Sequence, residues 1–346
     1  MNILIVTDAW SPQVNGVVRT LQSVKAELER LGHAVTVISP DQFRSMACPT
    51  YPEIRLALTM SVGKRIEAAE PDAIHIATEG PLGLAARKYC KRRRLPFTTA
   101  YHTQFPEYVS KRTRLPARWF WRYIRRFHKP SKAVMVSTPA VERQLHENGI
   151  RHTRHWGRGV DLSLFTVAGP RHPSFEGLAQ PVQLYVGRVA VEKNVQAFLD
   201  ARHPGTKVVV GDGPSLDKMK GRYPDVLFLG KLGGEELASA YRSADVFVFP
   251  SRTDTFGLVL IEALATGTPV AAYPVQGPID VLTDDVGCMD EALDRAIGQA
   301  LTRDRTVCAQ YAAGFGWDKS ARQFLDGLVP IGRAAPAAEK PVLEQA

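Results

Sequence analysis

Short apolar runs alternate with polar, helix-like stretches along most of the chain. The first run, NILIVTD, is followed by a loop, WSPQVNG, by a helix-like stretch that ends at Gly32, and by a second run, AVTVIS. Further apolar runs follow at 73–77, 97–102 and 133–138. Strands that alternate with helices in this way predict a parallel sheet with crossover helices.

The alternation begins again at 182–187 with VQLYVG and continues through KVVVG, VLFLG, DVFVFPS and PVAAYP. A chain of 346 residues exceeds the usual size of one hydrophobic core. We therefore predict an α/β protein whose two Rossmann-like domains, 1–168 and 169–316, face each other across a cleft at the carboxyl ends of both sheets. A closing amphipathic helix at 317–329 and a disordered Ala- and Pro-rich tail at 330–346 are expected to follow.

The net positive charge of the chain comes from its first half. Residues 1–170 contain 26 Lys and Arg against 13 Asp and Glu, whereas the remainder contains 18 against 22. Such asymmetry is typical of a protein with an anionic partner, which is a nucleic acid, a membrane surface or a charged substrate. Composition alone does not choose among the three.

Cysteine usage and the N-terminal sequence indicate the compartment. The cysteines show no paired close spacing, which disfavours a zinc site and a disulfide framework and indicates reduced thiols in the cytosol; they are Cys48, Cys90, Cys288 and Cys308. No apolar run approaches the roughly 18 residues of a membrane span, and MNILIVTDAW lacks the pattern of a signal peptide. We therefore expect a soluble protein that is not exported.

Two acidic residues lie eight positions apart in SRTDTFGLVLIEALATGTP. Asp254 precedes an expected helix that begins near Phe256, and Glu262 lies inside its apolar sequence. Burying an ionised carboxylate costs free energy unless something pairs with it, so Glu262 implies a polar partner from outside the helix, and a ligand rich in hydroxyl groups would serve. Asp254 can accept hydrogen bonds from hydroxyl groups too, or it is simply the N-cap of the helix.

Loops at the expected cleft combine glycine, cations and helix N-termini. Gly16 precedes the first helix, where it forms an ordinary turn or lets the backbone approach an anion. Arg188 and Lys193, five residues apart in GRVAVEKN, are either solvated surface cations or ligands of a diphosphate whose charge rises as a glycosyl bond breaks. The amides of 256–259 would form a further anion site at a helix N-terminus.

These segments resemble the retaining glycosyltransferases of family 4, which have the GT-B fold. The resemblance covers residues 1 to about 328 and rests on several motifs in order: TDAWSPQVNGV, ATEGPLG, AYHTQFPEY, RGVD, GRVAVEKN, VVGDGP, the segment of the two acids, and FGWDKSARQFL. Within the family, the chain is similar to bacterial GDP-mannose-dependent mannosyltransferases and to glycolipid and sulfolipid synthases that act on diacylglycerol. One position departs from the pattern, because the first acid of the family motif is Glu and this chain has Asp254.

The resemblance implies that the second domain binds a nucleoside diphosphate sugar. Gly16, Arg188 and Lys193 would hold the diphosphate, and Glu262 would bind the ribose hydroxyls. Lys231, in FLGKLGG, would lie near the nucleobase.

The same resemblance assigns residues to the transferred sugar. Asp254 would bind its hydroxyl groups, and His102, in AYHTQF, would lie beside the reacting carbon. Backbone amides would orient sugar and phosphate; they belong to Phe256, Gly257 and Leu258. The closing helix would cross back to the first domain.

The implied reaction is a hexosyl transfer with retention that needs no metal or other cofactor. Arg188, Lys193 and helix dipoles would stabilise the leaving diphosphate in place of a metal, with His102 and Asp254 as the other catalytic residues. The donor stays open among GDP-mannose, UDP-glucose, UDP-galactose and UDP-glucuronate.

The segment LPARWFWRYIRRFHK at 115–129 combines aromatic and cationic side chains at helical spacing. Candidate membrane or acceptor contacts are its aromatic residues Trp119, Phe120, Tyr123 and Phe127 and its cationic residues Arg118, Arg122, Arg125 and Arg126. Such a helix suits the headgroup level of an anionic bilayer, or it buries its aromatic residues in the domain and solvates its arginines. A nucleic acid is disfavoured, because no recognition module accompanies the charge.

We therefore predict a cytoplasmic enzyme, peripheral on the inner face of the cell membrane, that transfers a hexose to a membrane lipid such as diacylglycerol or a glycolipid. A transferase for soluble lipopolysaccharide or polysaccharide acceptors and a non-catalytic nucleotide-sugar-binding protein are the alternatives. The sequence does not indicate an oligomeric state.

Overall fold

The computed structural model describes residues 1–13, 15–48, 51–59, 61–102 and 116–332. Within these ranges the chain forms two six-stranded sheets, one from each half, and all neighbouring strands within each of the two sheets run parallel. The prediction of two parallel α/β layers is therefore confirmed.

The first sheet has the strand order β2-β1-β5-β6-β7-β8, and β3 and β4 form a separate antiparallel hairpin. The strands are β1 (Asn2–Val6), β2 (Ala34–Ile38), β3 (Ser45–Cys48), β4 (Tyr51–Ala57), β5 (Ala73–Ile76), β6 (Thr98–Ala100), β7 (Val134–Val136) and β8 (Thr153–His155). The helices are α1 (Gly16–Arg30), α2 (Val62–Ala68), α3 (Pro81–Arg93), α4 (Ala117–His128) and α5 (Pro139–Glu147).

The second sheet has the strand order β11-β10-β9-β12-β13-β14. Its strands are β9 (Val182–Val186), β10 (Thr206–Val210), β11 (Leu227–Gly230), β12 (Val246–Phe249), β13 (Val270–Ala272) and β14 (Gly287–Met289). Its helices are α6 (Val195–Asp200), α7 (Leu216–Arg222), α8 (Gly234–Ser243), α9 (Leu258–Ala265), α10 (Pro278–Val281), α11 (Leu293–Ala300) and α12 (Arg305–Ala312), and α13 (Trp317–Gly327) closes the chain.

Local signals explain where the first helix begins and ends. The side chain of Asn15 accepts hydrogen bonds from the amides of Val17 and Val18, both at 3.0 Å, and so caps α1. Gly32, with φ of +84°, takes the left-handed conformation just after the helix, as its place in the sequence predicts.

Both sheets are covered by helices on both faces. In β1, Leu4 and Val6 pack into one apolar cluster and Ile3 and Ile5 into another, and all four are fully buried. Strands buried on both faces need continuous apolar runs rather than alternation of apolar and polar residues. This requirement explains sequences such as NILIV.

The core of the second sheet begins before the expected domain boundary at residue 168. Val160 and Phe165 are 3% and 4% exposed and pack among side chains of the second half. The lapse in strand and helix patterning after Val160 thus reflects an irregular segment that still contributes apolar side chains to the second core.

The closing helix α13 returns to the first sheet, as expected. Phe324 packs with Trp156 in the first core, and the Trp156 indole donates to the Ser320 hydroxyl at 3.2 Å. The start of the predicted disordered tail is ordered, because Pro330 bridges to Ala73 and the Ile331 amide donates to the carbonyl of Asp72 at 2.7 Å. Residues 333–346 of that tail lie outside the described residues.

The free energy of unfolding should depend on pH through His75, which lies in β5 and packs in the same core. His75 is fully buried edge-on to Trp156 and Phe324, and burial together with the nearby Arg158 lowers its pKa to about 3. Below pH 6.5 the unfolded chain binds a proton that the native state does not, so the free energy of unfolding should fall on acidification by up to about 1.4 kcal/mol per pH unit for this group. Urea titrations between pH 6.5 and pH 4 on the wild type and His75→Asn should show a shallower pH dependence in the variant.

The matched control for this experiment is His203→Asn, a change at a partly exposed histidine. If the free energy of unfolding depended equally on pH in the wild type and in His75→Asn, the pH dependence could not be assigned to His75.

Candidate functional site

Several of the predicted site residues lie at the topological switch point of each sheet. In the first sheet, β1 lies beside β5, and in the second β9 lies beside β12, so the crossovers diverge between these strands. In open α/β sheets this crevice at the carboxyl ends of the strands is where ligands bind. The loop after β1 leads to Gly16, the loop after β9 carries Arg188, and the loop after β12 carries Asp254.

Contacts between the two halves bring these loops together. A Cβ on Gly16 would lie 3.9 Å from the side chain of Leu258, and the Thr255 hydroxyl donates to the carbonyl of His102 at 2.8 Å. Gly16 therefore lies opposite the N-terminus of α9 across the cleft, and the carboxylate-bearing loop is hydrogen-bonded to the first half.

Glu262 has the polar partners that its burial requires. It is 5% exposed; its Oε1 accepts from Nη1 of Arg19 at 2.8 Å and its Oε2 accepts from the Tyr241 hydroxyl at 3.1 Å. Burial raises the pKa of Glu262, while Arg19 and Tyr241 act in the opposite direction. A carboxylate offers about four lone-pair positions, so the two protein partners leave acceptor capacity for hydroxyl groups of a ligand.

Sequence reasoning anticipated a partner for Glu262 but missed Arg19 and Tyr241. Arg19 lies one helical turn after Gly16 on α1, and Tyr241 lies near the C-terminal end of α8. The spacing of Arg19 from Gly16 indicates that Arg19 lies on the same face of α1 as Gly16, because residues three apart on a helix share a face. Nothing in the local sequence connects either residue to Glu262.

Lys193 and Asp254 form a second pair at the cleft. Nζ of Lys193 lies 2.5 Å from Oδ1 of Asp254, with the two side chains 29% and 22% exposed. The adjacent Asn194, at φ +53°, donates from its side chain to the carbonyl of Pro250 at 3.1 Å and so ties the Lys193 loop to the end of β12. Oδ2 of Asp254 is buried and has no hydrogen-bond partner among the described residues.

Arg188 is exposed at the start of the same loop. The Tyr185 hydroxyl donates to the Arg188 carbonyl at 2.8 Å, and burial raises the pKa of that tyrosine, so its proton stays in place. The backbone from which Arg188 projects is thereby fixed.

The helix after Asp254 begins later than the sequence predicts. α9 starts at Leu258, because Gly257 at φ +84° precedes it as the N-cap, and no side chain caps the helix. Phe256 is 6% exposed and packs into the second core. The expected start near Phe256 is therefore wrong by two residues, although Leu258, the first residue of α9, still lies beside Gly16.

His102 follows β6 and is held from both halves. Nη2 of Arg158 lies 3.0 Å from its Nδ1, and its Nε2 is buried without a hydrogen-bond partner among the described residues. Burial and the charge of Arg158 lower the pKa of His102 well below its usual value. The ring is therefore neutral at physiological pH.

Lys231 lies apart from the other candidates. It is exposed immediately after β11, the edge strand of the second sheet, and β10 and β9 separate β11 from β12. Only a ligand that extends across the sheet from Glu262 would reach it.

The prediction for the aromatic face of α4 is wrong in part. Phe127 is 1% exposed and packs in the first core, so it is not a surface contact, and the Tyr123 hydroxyl donates to the carbonyl of Glu79. Trp119 is 60% exposed and Phe120 is partly exposed. The four arginines of the candidate surface are exposed as predicted: Arg118, Arg122, Arg125 and Arg126.

The described part of the chain contains no helix long and apolar enough to cross a membrane. Among the same residues, no three or more His, Cys, Asp or Glu side chains are arranged to hold a metal ion.

Two family models match the chain in succession. The model of glycosyltransferase family 4 matches residues 14–164, and that of glycosyl transferases group 1 matches residues 180–303. The GDP-mannose-dependent alpha-mannosyltransferase of Corynebacterium glutamicum is 30% identical over 317 residues, which cover 83% of this chain and 75% of the relative. The alpha-monoglucosyldiacylglycerol synthase of Streptococcus pneumoniae is 28% identical over 313 residues, covering 79% and 71%.

Among solved structures, the sucrose-phosphate synthase of Thermosynechococcus elongatus has a TM-score of 0.77, with 20% identity and coverage of 94% of this chain and 97% of that one. The predicted GT-B fold is thereby confirmed. The chain belongs to glycosyltransferase family 4. It is a hexosyltransferase, as the sequence predicted.

The ion pair between Arg19 and Glu262 should couple the two halves energetically. In a double-mutant cycle with Arg19→Met and Glu262→Gln, we expect a coupling of about 1–2 kcal/mol in the free energy of unfolding, because one partner is buried and the other is 41% exposed. The measurement is urea denaturation of the four proteins.

A cycle on Lys25 and Glu29, a more exposed pair on α1 at 2.6 Å, is the control and should give about 0.3–0.5 kcal/mol. A coupling for Arg19 and Glu262 no larger than that of the control pair would show that the contact does not join the two halves.

Proposed function

We propose that this glycosyltransferase moves a hexose, with retention of configuration and without a metal, from a nucleoside diphosphate sugar to a membrane lipid acceptor. The observation that carries the donor part is the convergence of Gly16, Lys193, Asp254 and Glu262 at the switch points of two facing sheets. Cations, backbone amides and hydroxyl-binding carboxylates together suit a sugar linked through a diphosphate to a nucleoside.

The diphosphate is bound by cations and amides from both sides of the cleft. Gly16 lets the N-terminus of α1 approach it, the N-terminus of α9 at Leu258 faces it, and Arg188 and Lys193 neutralise its charge. As the glycosyl bond breaks, negative charge grows on the departing phosphate, and these groups stabilise the transition state more than the bound donor.

The two carboxylates divide the recognition of hydroxyl groups. Glu262 binds the ribose hydroxyls with the lone pairs that Arg19 and Tyr241 leave. Asp254 binds hydroxyls of the hexose through Oδ2, since Lys193 already occupies Oδ1. His102 contributes to the same sugar, and Lys231 lies toward the nucleobase.

The donor is one of GDP-mannose, UDP-glucose, UDP-galactose or UDP-glucuronate. The similarity of the chain to a GDP-mannose-dependent alpha-mannosyltransferase makes GDP-mannose the first donor to test. No carboxylate is assigned as a covalent nucleophile, so the departing phosphate accepts the proton of the acceptor hydroxyl while the surrounding cations hold it in place.

The lipid part of the proposal rests on α4. Its exposed Trp119 and four exposed arginines fit the interface of an anionic bilayer on the inner face of the cell membrane. The similarity of the chain to an alpha-monoglucosyldiacylglycerol synthase also favours a lipid acceptor. Diacylglycerol and a glycolipid are the acceptors that such a position would reach.

The donor roles predict different effects for two changes. Glu262→Ala should weaken the affinity for the nucleoside diphosphate by about 10- to 100-fold, because the ribose loses charge-assisted hydrogen bonds. Asp254→Asn should lower the transfer rate by about tenfold or more. It should leave the affinity for the nucleoside diphosphate within about threefold, because the nucleoside diphosphate lacks the hexose that Asp254 would contact. Calorimetric titration with GDP and UDP and assays of nucleoside diphosphate release measure both quantities.

Asp284→Asn, at an exposed acid outside the cleft, is the control and should change neither quantity. Unchanged nucleotide affinity in Glu262→Ala would refute the ribose role. Equal losses of affinity and rate in Asp254→Asn would argue against a sugar-specific contact.

The membrane role predicts vesicle binding that depends on α4. Arg122→Glu with Arg126→Glu should weaken binding to phosphatidylglycerol-containing vesicles by about tenfold or more, since each basic residue near such a surface contributes about 1 kcal/mol. Trp119→Ala should weaken it as well. Co-sedimentation at two salt concentrations measures the effect, which should diminish at high salt.

Lys218→Glu with Lys220→Glu on α7 changes the net charge equally and is the matched control. An equal loss in this control would contradict a specific α4 surface. Vesicle-independent transfer to a soluble saccharide would instead support the alternative of lipopolysaccharide or polysaccharide synthesis.

A further inference from the structure

Arg158 is a buried cation whose hydrogen bonds lead to the cleft. It is 8% exposed, and in the described part of the chain it forms no ion pair with a carboxylate. Nη1 donates to the carbonyls of Trp156 and Gly157 at 2.8 and 3.3 Å, and its guanidinium lies 4.8 Å from the Trp156 ring. The remaining contact is the one between Nη2 and Nδ1 of His102 at 3.0 Å.

That contact determines which nitrogen of His102 carries the proton. A guanidinium has only donors, so Nδ1 of His102 must accept and its lone pair is occupied. In the neutral ring the proton then lies on Nε2, which is buried and has no partner among the described residues. A buried N–H without an acceptor is costly, so the site suits a ligand oxygen at that position.

The surroundings of the ring oppose a second proton. Among the described residues, the ionisable groups that act on His102 are Arg158, a cation, and His75, a buried neutral imidazole. The rings of Trp156 and His102 meet edge to face, with their centroids 5.4 Å apart. The His102 carbonyl accepts from Thr255 at 2.8 Å, which holds the residue against the carboxylate loop of the other half. The imidazole is therefore fixed in position as well as in protonation.

We propose that Arg158 is a positioning residue that holds His102 as the neutral tautomer protonated on Nε2, so that His102 presents a single hydrogen-bond donor to an oxygen of the transferred hexose. The proposal rests on the proposed function, which puts the hexose beside His102. It also has a consequence for the reaction, because a ring with Nδ1 occupied and Nε2 protonated has no lone pair for the acceptor hydroxyl. His102 is a donor to the sugar and not the general base.

The direct test is the tautomer of His102 in the wild-type protein. Nitrogen-15 NMR of histidine-labelled protein, with His102→Gln to assign the signal, should show Nδ1 unprotonated and Nε2 protonated from pH 8 down to pH 6. Protonation of Nδ1, or a doubly protonated ring in this range, would overturn the proposal. This readout does not depend on any substrate, so it stays informative if no donor sugar is turned over.

Kinetics of Arg158 variants provide the second test. In Arg158→Met the tautomer is no longer fixed, so the transfer rate should fall about tenfold at pH 7.5. Because the positive neighbour is gone, His102 should take up a second proton at higher pH than in the wild type, and the charged ring would oppose the positive charge that develops on the hexose in the transition state, so an acidic limb should appear at higher pH. The affinity for the nucleoside diphosphate should stay within about threefold. Arg158→Lys, which keeps a cationic donor, should recover part of the rate and the wild-type pH profile.

These outcomes separate positioning from a purely structural role. Equal losses of rate and nucleotide affinity in Arg158→Met, with an unchanged pH profile, would overturn the proposal. If that variant does not fold, Arg158→Lys and the NMR measurement still decide. Full transfer activity in His102→Gln would refute the proposed contact of His102 with the sugar, whatever the tautomer.

Discussion

The ion pair between Arg19 and Glu262 joins the two sheets at the point where a ligand would bind. At 2.8 Å and an effective dielectric constant of about 20, the gross attraction is about 6 kcal/mol. Removing the two charges from water costs an amount of the same order, and Arg19 keeps contact with solvent. The net stabilisation is therefore small, and the main effect of the pair is geometric: it fixes one carboxylate oxygen and leaves the other directed by Tyr241.

A site assembled from two halves follows from this arrangement. Glu262 lies on a helix of the second half, but its strongest partner lies on the first helix of the chain, next to Gly16. The hydrogen bond from Thr255 to the carbonyl of His102 repeats the pattern a short distance away. Neither half contains the complete set of groups, so the proposed binding geometry would exist only while the halves are in contact with each other.

Sequence reasoning predicted the fold because its signals are local. Apolar runs of strand length, helix caps such as Asn15 and left-handed glycines such as Gly32 each specify nearby backbone. It located Glu262 because a carboxylate in an apolar helix needs a partner. It could not identify Arg19 or Arg158 as partners, since those contacts join residues 243 and 56 positions apart.

The sequence also could not decide which face of α4 is buried. Four residues at helical spacing are buried, and Trp119 is exposed; the buried residues are Trp121, Ile124, Phe127 and His128. An amphipathic pattern with a broad aromatic stripe is compatible with more than one rotation of the helix. Packing against neighbouring elements selects among them, and only the three-dimensional structure contains that information.

The side chain of Asp254 is short and is held in place, which limits how far its carboxylate can reach. Lys193 holds Oδ1 at 2.5 Å, so rotation of the carboxylate is restricted and Oδ2 points in one direction. The backbone behind it is fixed too, because Gly277 at φ +96° packs so closely that a Cβ there would lie 3.1 Å from the Asp254 carbonyl. In the proposed site, a Glu at this position would extend one methylene further toward the sugar. With Asp, the hydroxyl group in the proposed contact would have to come closer to the loop, so sugar selection would depend on the position of this backbone rather than on side-chain flexibility.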